Sequence, residues 1–391
     1  MIFDKLFQLM AEKNASDIFV SAGAPISIKI HGNTIPINQQ VMDPATIQKM
    51  AYEMLKPEQI QTFEVKRELN LSIGIAAIGN FRINMFWQRN TIAIVVRYIT
   101  SDIPKIEELA LPPILSEFIM EKRGLILVVG ATGSGKSTTI AAMLDHRNAN
   151  RSGHILTVED PIEFLFKHKR SLVNQREVGL DTQSWGDALK NAMRQAPDCI
   201  LIGEIRDKET MSAAIAYAQT GHLCLATLHA NNAYHALNRI VNFFPLENRT
   251  SLYLDLSATL KTIISQRLVR KPDGKRSPTV EILLNTRHIA ELIERGELNG
   301  IKEAMEQSLA PGSQTFEQDL YRMYKDGIIT LDEALANADS ATNMSWLINN
   351  DQIHSPTEKN IKVPFATATA QDPDQTSSGA SFSEFTLHMD S

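Results

Sequence analysis

The apolar positions of this chain follow two different rhythms. At the start, Phe3, Leu6, Phe7 and Met10 recur at the spacing of one helix face, which predicts an amphipathic helix. From Ser16 to about Tyr98 the period shortens. Ile26, Ile28 and Ile30 alternate with Ser27, Lys29 and His31, as in a half-buried strand, and Gly32-Asn33 offers a turn before Ile35 and Ile37. Residues 43–69 read as helical. Phe81, Ile83 and Met85 then alternate, Gln88-Arg89-Asn90 turns the chain, and Ile92, Ile94 and Val96 alternate again. These signals predict a small α+β domain over residues 1–100. Ser101-Asp102-Ile103-Pro104 and Leu111-Pro112-Pro113 mark a linker and helix over 101–123.

From Gly124 the character changes. Short apolar runs alternate with helical stretches, the signature of buried parallel strands in an α/β domain. This domain is expected over 124–354, with 285–348 mainly helical. Beyond it the composition shifts: Ala366–Ser391 has no Lys or Arg and is rich in Ser, Thr, Asp and Gln. Residues 355–391 are expected to form a disordered acidic tail.

Composition narrows the function. The chain has 391 residues, of which 43% are hydrophobic and 21% charged, enough for two or three domains with ordinary cores. A net charge of −6 argues against a nucleic-acid coating protein. The basic runs Lys167-His168-Lys169-Arg170 and Arg267 to Arg276 read as solvated loops. Cys199 and Cys224 lie in apolar runs and read as buried small hydrophobes in a reducing compartment. No apolar run nears the roughly 18 residues of a membrane span, so no transmembrane segment is expected. Asp4, Lys5, Glu12 and Lys13 interrupt any signal peptide.

One motif carries specific chemistry. Gly130-Ala131-Thr132-Gly133-Ser134-Gly135-Lys136-Ser137 matches the phosphate-binding P-loop in full, and it lies between an apolar strand, Leu125–Val129, and a helical stretch from Thr138. Its glycines let successive backbone N–H groups face a phosphate at a helix N-terminus. Lys136 is expected on the β- and γ-phosphates and the Ser137 hydroxyl on Mg²⁺. ATP and Mg²⁺ are therefore the expected ligands.

Hydrolysis also needs a carboxylate to act on the attacking water, and the C-terminal ends of parallel strands are where it belongs. Ile155–Val158 ends at Glu159-Asp160, with Glu163 just beyond. Cys199–Ile202 ends at Gly203-Glu204, and Leu223–Leu228 at His229. Glu159 competes with a reading as a loop acid, and His229 with one as a structural histidine. Arg82 and Arg97 lie opposite the apolar face of their strands, either as surface arginines or as stabilisers of phosphoryl charge, which a neighbouring subunit can supply.

Three longer stretches carry a resemblance. Met193-Arg194-Gln195-Ala196-Pro197-Asp198-Cys199-Ile200-Leu201-Ile202-Gly203-Glu204-Ile205-Arg206-Asp207 resembles the signature of the type II secretion/type IV pilus ATPases. Ile155 to Phe164 looks like their aspartate box, and Thr220-Gly221-His222 through Leu228-His229 like their histidine box. Ala15-Ser16-Asp17 and Ser21-Ala22-Gly23-Ala24-Pro25 are similar to the start of the twitching-motility, or pilus retraction, branch. The resemblance covers roughly residues 1–345.

It implies a PAS-like α+β domain joined to a RecA-like P-loop ATPase domain, assembled as a homohexamer. Glu204 would act on water and Mg²⁺, Glu163 would be the aspartate-box acid, and His222 and His229 would sense nucleotide. Arg82 and Arg97 would approach the phosphates, and Gly130, Thr132, Gly133, Ser134, Gly135 and Thr138 would complete the cradle around Lys136 and Ser137. Ala196, where the principal retraction motors carry an acid, the segment Arg287-His288-Ile289-Ala290-Glu291-Leu292, and the tail all resemble the accessory subgroup. The implied function is an ATPase motor promoting pilus retraction beside a sister retraction ATPase. It would be cytoplasmic and would touch an inner-membrane platform protein peripherally. A nucleotide-binding adaptor for the sister motor is the alternative.

Overall fold

The N-terminal alternation builds a sheet whose two faces differ. The computed structural model describes residues 2–30, 32–75, 78–99 and 102–354. The expected tail from residue 355, with His31 and Ser101, lies outside them. The first elements are α1 (Ile2–Glu12), β1 (Asp17–Val20), β2 (Pro25–Ile30), β3 (Asn33–Val41), α2 (Pro44–Glu53), α3 (Pro57–Lys66), β4 (Glu68–Ile75), β5 (Gly79–Gln88) and β6 (Thr91–Ile99). The six strands pair antiparallel in the order β3-β2-β1-β6-β5-β4.

Phe3, Phe7 and Met10 of α1, Ile47 and Met50 of α2 and Phe63 of α3 share one core with Ile18, Phe81, Ile83, Met85, Ile92 and Ile94 of the sheet. Arg89 and Asn90 both take positive φ, 47° and 61°, giving the two-residue turn whose twist suits a hairpin. With Phe81 and Ile83 inward, Arg82 must face the other way. The register then sets Arg82 opposite Arg97, and Arg97 opposite Asp17.

A short helix, α4 (Ile114–Phe118), precedes the second sheet. The fully buried Arg147 guanidinium donates to the Ile119 and Glu121 carbonyls just past its end, at 2.6 and 2.9 Å. The second sheet contains β7 (Gly124–Val129), β8 (Gly153–Glu159), β9 (Ser171–Glu177), β10 (Cys199–Ile202), β11 (Leu223–Leu228), β12 (Leu260–Arg270) and β13 (Arg276–Leu284). Its order is β13-β12-β7-β11-β10-β8-β9, and all neighbours are parallel except β12 and β13.

Helices α5 (Lys136–Asn150), α6 (Trp185–Ala192), α7 (Lys208–Gln219), α8 (Ala233–Asn242) and α9 (Leu246–Thr259) interleave with these strands. Then α10 (Arg287–Arg295), α11 (Ile301–Glu306), α12 (Phe316–Lys325), α13 (Leu331–Asn337) and α14 (Ala341–His354) follow. Every residue of β7, β10 and β11 is buried, as parallel strands covered on both faces require. This is a RecA-like parallel core behind a small α+β unit.

Arg267 and Arg276 correct the reading of their segment as a solvated loop. Both belong to the β12–β13 hairpin. The Arg267 guanidinium stacks 3.9 Å from the Phe316 ring centroid and pairs with Asp339.

Candidate functional site

Strand register decides which residues share a rim. Val129 of β7 pairs with Leu228 of β11, and Ile202 of β10 pairs with both Ala226 of β11 and Val158 of β8. Parallel strands in this register end together, so the residues that follow them meet. Lys136, Glu159, Glu204 and His229 all line one cavity of about 260 Å³, with Thr132, Gly133, Ser137, Asp160, Pro161 and Glu163.

The P-loop curls tightly between β7 and α5. Gly135 has φ of 91°, a left-handed conformation that glycine takes without a Cβ clash. At Gly130 a Cβ would lie 2.5 Å from the Gln266 carbonyl oxygen, so close approach of β12 requires glycine there. Gln266 also clamps the loop through its side chain. Its Nε2 donates to the Ser134 carbonyl at 2.9 Å and its Oε1 accepts from Thr139 Oγ1 at 2.7 Å. The Lys136 ammonium donates to the Gly130 and Ala131 carbonyls, both at 2.9 Å. Burial holds it below the ordinary lysine range, partly offset by Glu204 and Glu163. The Ser134 hydroxyl is buried in the loop without a protein partner among the described residues. Unspent donors, a lysine and a helix N-terminus fit a phosphate chain.

The acids differ in environment. Glu204 Oε2 accepts from Arg206 Nε at 2.7 Å, and its Oε1 lies 3.3 Å from His229 Nε2. Arg206 Nη1 reaches Asp160 Oδ2 at 3.3 Å, bridging two strand ends. Burial, then Lys136, pushes His229 below the usual imidazole range. Glu159 accepts from Thr157 Oγ1 at 2.6 Å and Gln175 Nε2 at 3.3 Å, and burial pushes its carboxyl up to about 7. Glu163 is exposed at the cavity edge. Among the described residues no group of three His, Cys, Asp or Glu side chains could hold a metal. Ser137 and Glu204 do border the same space, the sparse oxygen set that suits Mg²⁺ carried by phosphates.

Other expected site residues lie elsewhere. Gly135 and Thr138 face a second cleft of about 460 Å³, bordered by Leu109, Leu111, Leu268 and Arg276. His222 stands immediately before β11, at the opposite rim and roughly 20 Å away by strand rise. Its ring contacts Thr220 Oγ1 at 3.1 Å and the Tyr217 carbonyl at 3.3 Å. His222 therefore does not line the cavity at the P-loop, whereas His229 does. Arg82 and Arg97 do not line the cavity either. Arg97 Nε pairs with Asp17 at 2.9 Å, and Arg82 Nε lies 3.8 Å from Glu177. Sequence reasoning assigned no role to Arg206 or Gln266. Arg206 was findable, because residues two apart on an extended stretch point the same way as Glu204 does.

Comparison with known proteins fits this geometry. The sequence matches the family described as Type II/IV secretion system protein over residues 1–288. The chain belongs to that family. Among its members, this chain is 48% identical to the type IV pilus ATPase PilU of Pseudomonas aeruginosa, covering 89% of this chain and 91% of that protein. It is 37% identical to the PilT retraction ATPase of the same organism, covering 86% and 98%. A crystal structure of the pilus retraction motor PilT with bound ADP superposes with a TM-score of 0.81 at 41% identity, covering 88% and 98%. The Legionella pneumophila ATPase DotB gives a TM-score of 0.70 at 26% identity, covering 89% and 96%. No helix among the described residues is long and apolar enough to cross a membrane. Cys199 and Cys224 are free and buried.

Proposed function

We propose that this protein is an ATP-hydrolysing motor of the type IV pilus machine. It works as a homohexamer and promotes pilus retraction and twitching motility as accessory to a sister retraction ATPase. The observation that carries this reading is the convergence of Lys136, Ser137, Glu204, Glu163 and His229 on one cavity at the P-loop. The names of the relatives, pilus ATPase and retraction motor, supply the biological setting.

In this reading Gly130, Thr132, Gly133, Ser134 and Gly135 shape the backbone cradle. Lys136 neutralises the β- and γ-phosphates, and the cleft beside Gly135 and Thr138 takes the adenosine end. Ser137 and Glu204 would hold Mg²⁺, which supplies charge neutralisation on the phosphates. Glu204 orients the attacking water and accepts its proton, while Glu163 and Glu159 set the negative field around it. His229 donates to Glu204, coupling strand β11 to the reacting end. Arg97 acts from a neighbouring copy, while Arg82 is engaged with Glu177 of its own chain. The protein works in the cytoplasm against an inner-membrane platform protein.

The test is Mg-ATP turnover by purified full-length protein, with its partners, alongside nucleotide binding. Lys136→Ala is expected to abolish turnover. Glu204→Gln is expected to bind ATP and lower turnover by about 10²-fold or more. Wild-type protein that binds Mg-ATP but never turns it over sinks the enzyme reading. A second reading, a nucleotide-binding adaptor for the sister motor, is favoured by α10. There Arg287 is 92% exposed and pairs only with Glu291 of its own helix among the described residues. It predicts that Lys136→Ala still supports retraction in cells whose sister motor is active.

A further inference from the structure

Glu177 closes β9 at the same rim, and no role given above uses it. Its side chain is buried, 4% exposed, and burial pushes its carboxyl above the usual carboxylate range. A buried acid persists only where both oxygens find partners. Oε2 accepts from the Ile162 backbone N–H at 3.1 Å, and Oε1 lies 3.8 Å from Arg82 Nε. Ile162 sits in the segment whose Asp160, Pro161 and Glu163 line the cavity. Arg82 belongs to β5 of the other sheet. Its ladder neighbour is Arg97, and two guanidinium groups directly opposed repel. Asp17 offsets Arg97, and Glu177 offsets Arg82. On its own side Glu177 is fixed by pairing with Glu159 and by its N–H donating to Asp181 Oδ2 at 2.9 Å.

We propose that Glu177 is a positioning residue that fastens the Asp160–Glu163 segment to Arg82 of the N-terminal sheet, so that the placement of Glu163 follows that sheet. The Glu177 carboxylate touches both partners, one through each oxygen. Displacing the N-terminal sheet shifts the cavity edge through it, with no change in the P-loop. The effect on turnover rests on the ATPase reading, but the fastening itself does not.

Hydrogen exchange on full-length protein without nucleotide tests the fastening. Glu177→Ala and Arg82→Ala should each speed exchange over residues 160–166 by about tenfold, the scale of losing one hydrogen bond or ion pair to a buried charge. Glu177→Gln keeps an oxygen for the Ile162 N–H and should fall between them and wild type. Amides of β7 should stay unchanged in all three, which separates this effect from loss of fold. Unaltered exchange over 160–166 in Arg82→Ala overturns the proposal.

Steady-state kinetics give the second arm. Glu177→Gln should lower kcat by about tenfold with KM for ATP within about twofold, because the segment is misplaced while the phosphate cradle is intact. The double variant Arg82→Ala/Glu177→Gln should be no slower than its slower parent. Effects that multiply instead overturn the coupling. Lys136→Ala, which leaves this network untouched, reports on the ATPase reading alone. If wild type shows no turnover, that reading fails and the exchange data alone decide the fastening.

Discussion

Glu204 is held from two sides, and the holders differ in kind. Arg206 is a permanent charge whose Nε and Nη1 reach Glu204 and Asp160 together. His229 is an imidazole held below its usual range by burial and then by Lys136, and its Nε2 lies 3.3 Å from Glu204 Oε1. Removing the permanent partner should let the carboxylate swing from its place beside the phosphate end. Arg206→Gln is expected to lower kcat by roughly ten- to a hundredfold, the worth of a hydrogen bond to a charged group, with nucleotide affinity little changed. Arg206→Lys should not restore it, because an ammonium cannot reproduce the two-pronged geometry. Steady-state turnover with a binding titration decides the matter. Equal loss of affinity and turnover would place Arg206 on the nucleotide instead.

At the level of elements, β13 and α8 are joined by a buried acid. Glu281 accepts from the Ala233 N–H at the start of α8 at 2.7 Å and from Ser265 Oγ at 2.8 Å. Burial pushes it up to about 7 from an ordinary 4.5. The folded value lies above the unfolded one, so the folded state binds the extra proton. That contribution is complete below about 4.5 and is lost as pH rises through about 7. Glu281→Gln keeps an acceptor oxygen and does not titrate. Its melting temperature should gain on wild type by about 2–4 °C between pH 5 and pH 8. A constant difference across that range would show that Glu281 does not titrate there.

The same elements show where sequence was informative. Strands β7, β8, β10 and β11 read as apolar runs because their neighbours cover both faces, and their ends located Lys136, Glu159, Glu204 and His229. The hairpin turning at Arg89-Asn90 was equally plain. Strand β9 was missed. It lies at an edge and spends its inward positions on Ser171, Val173 and Glu177. Strand β12 was hidden because Ser265 and Gln266 are buried polar residues serving Glu281 and the P-loop. Local pattern cannot reveal a partner more than a hundred residues away. His222 and His229 show a related limit: a motif groups residues by sequence, while strand β11 carries its two ends to opposite rims.

At the scale of the whole molecule, the arginines raise the question of assembly. Arg97 is spent on Asp17 within its own sheet and does not line its own chain's cavity. If it serves the phosphates across a subunit boundary, two defective proteins should repair one another. Lys136→Ala and Arg97→Ala rings, each inactive alone, should regain about a quarter of wild-type turnover when dissociated and reassembled at equal amounts. One interface in four then pairs an intact lysine with an intact arginine, which can act in trans. No recovery in mixed rings, with mixing verified by mass, would confine Arg97 to its own chain.

Gln266 gives the phosphate loop a late dependency. Its amide grips Ser134, 132 positions earlier in the chain. A ribosome moving from the N-terminus finishes the eight-residue motif long before it adds the strand that braces it. At ordinary synthesis rates of about 5–20 residues per second, the interval lasts several seconds or more. Through that time the nascent chain carries the recognisable motif without the built site. Nucleotide capture should begin only when β12 has left the exit tunnel and docked beside β7, which would make nucleotide binding a late event of biogenesis.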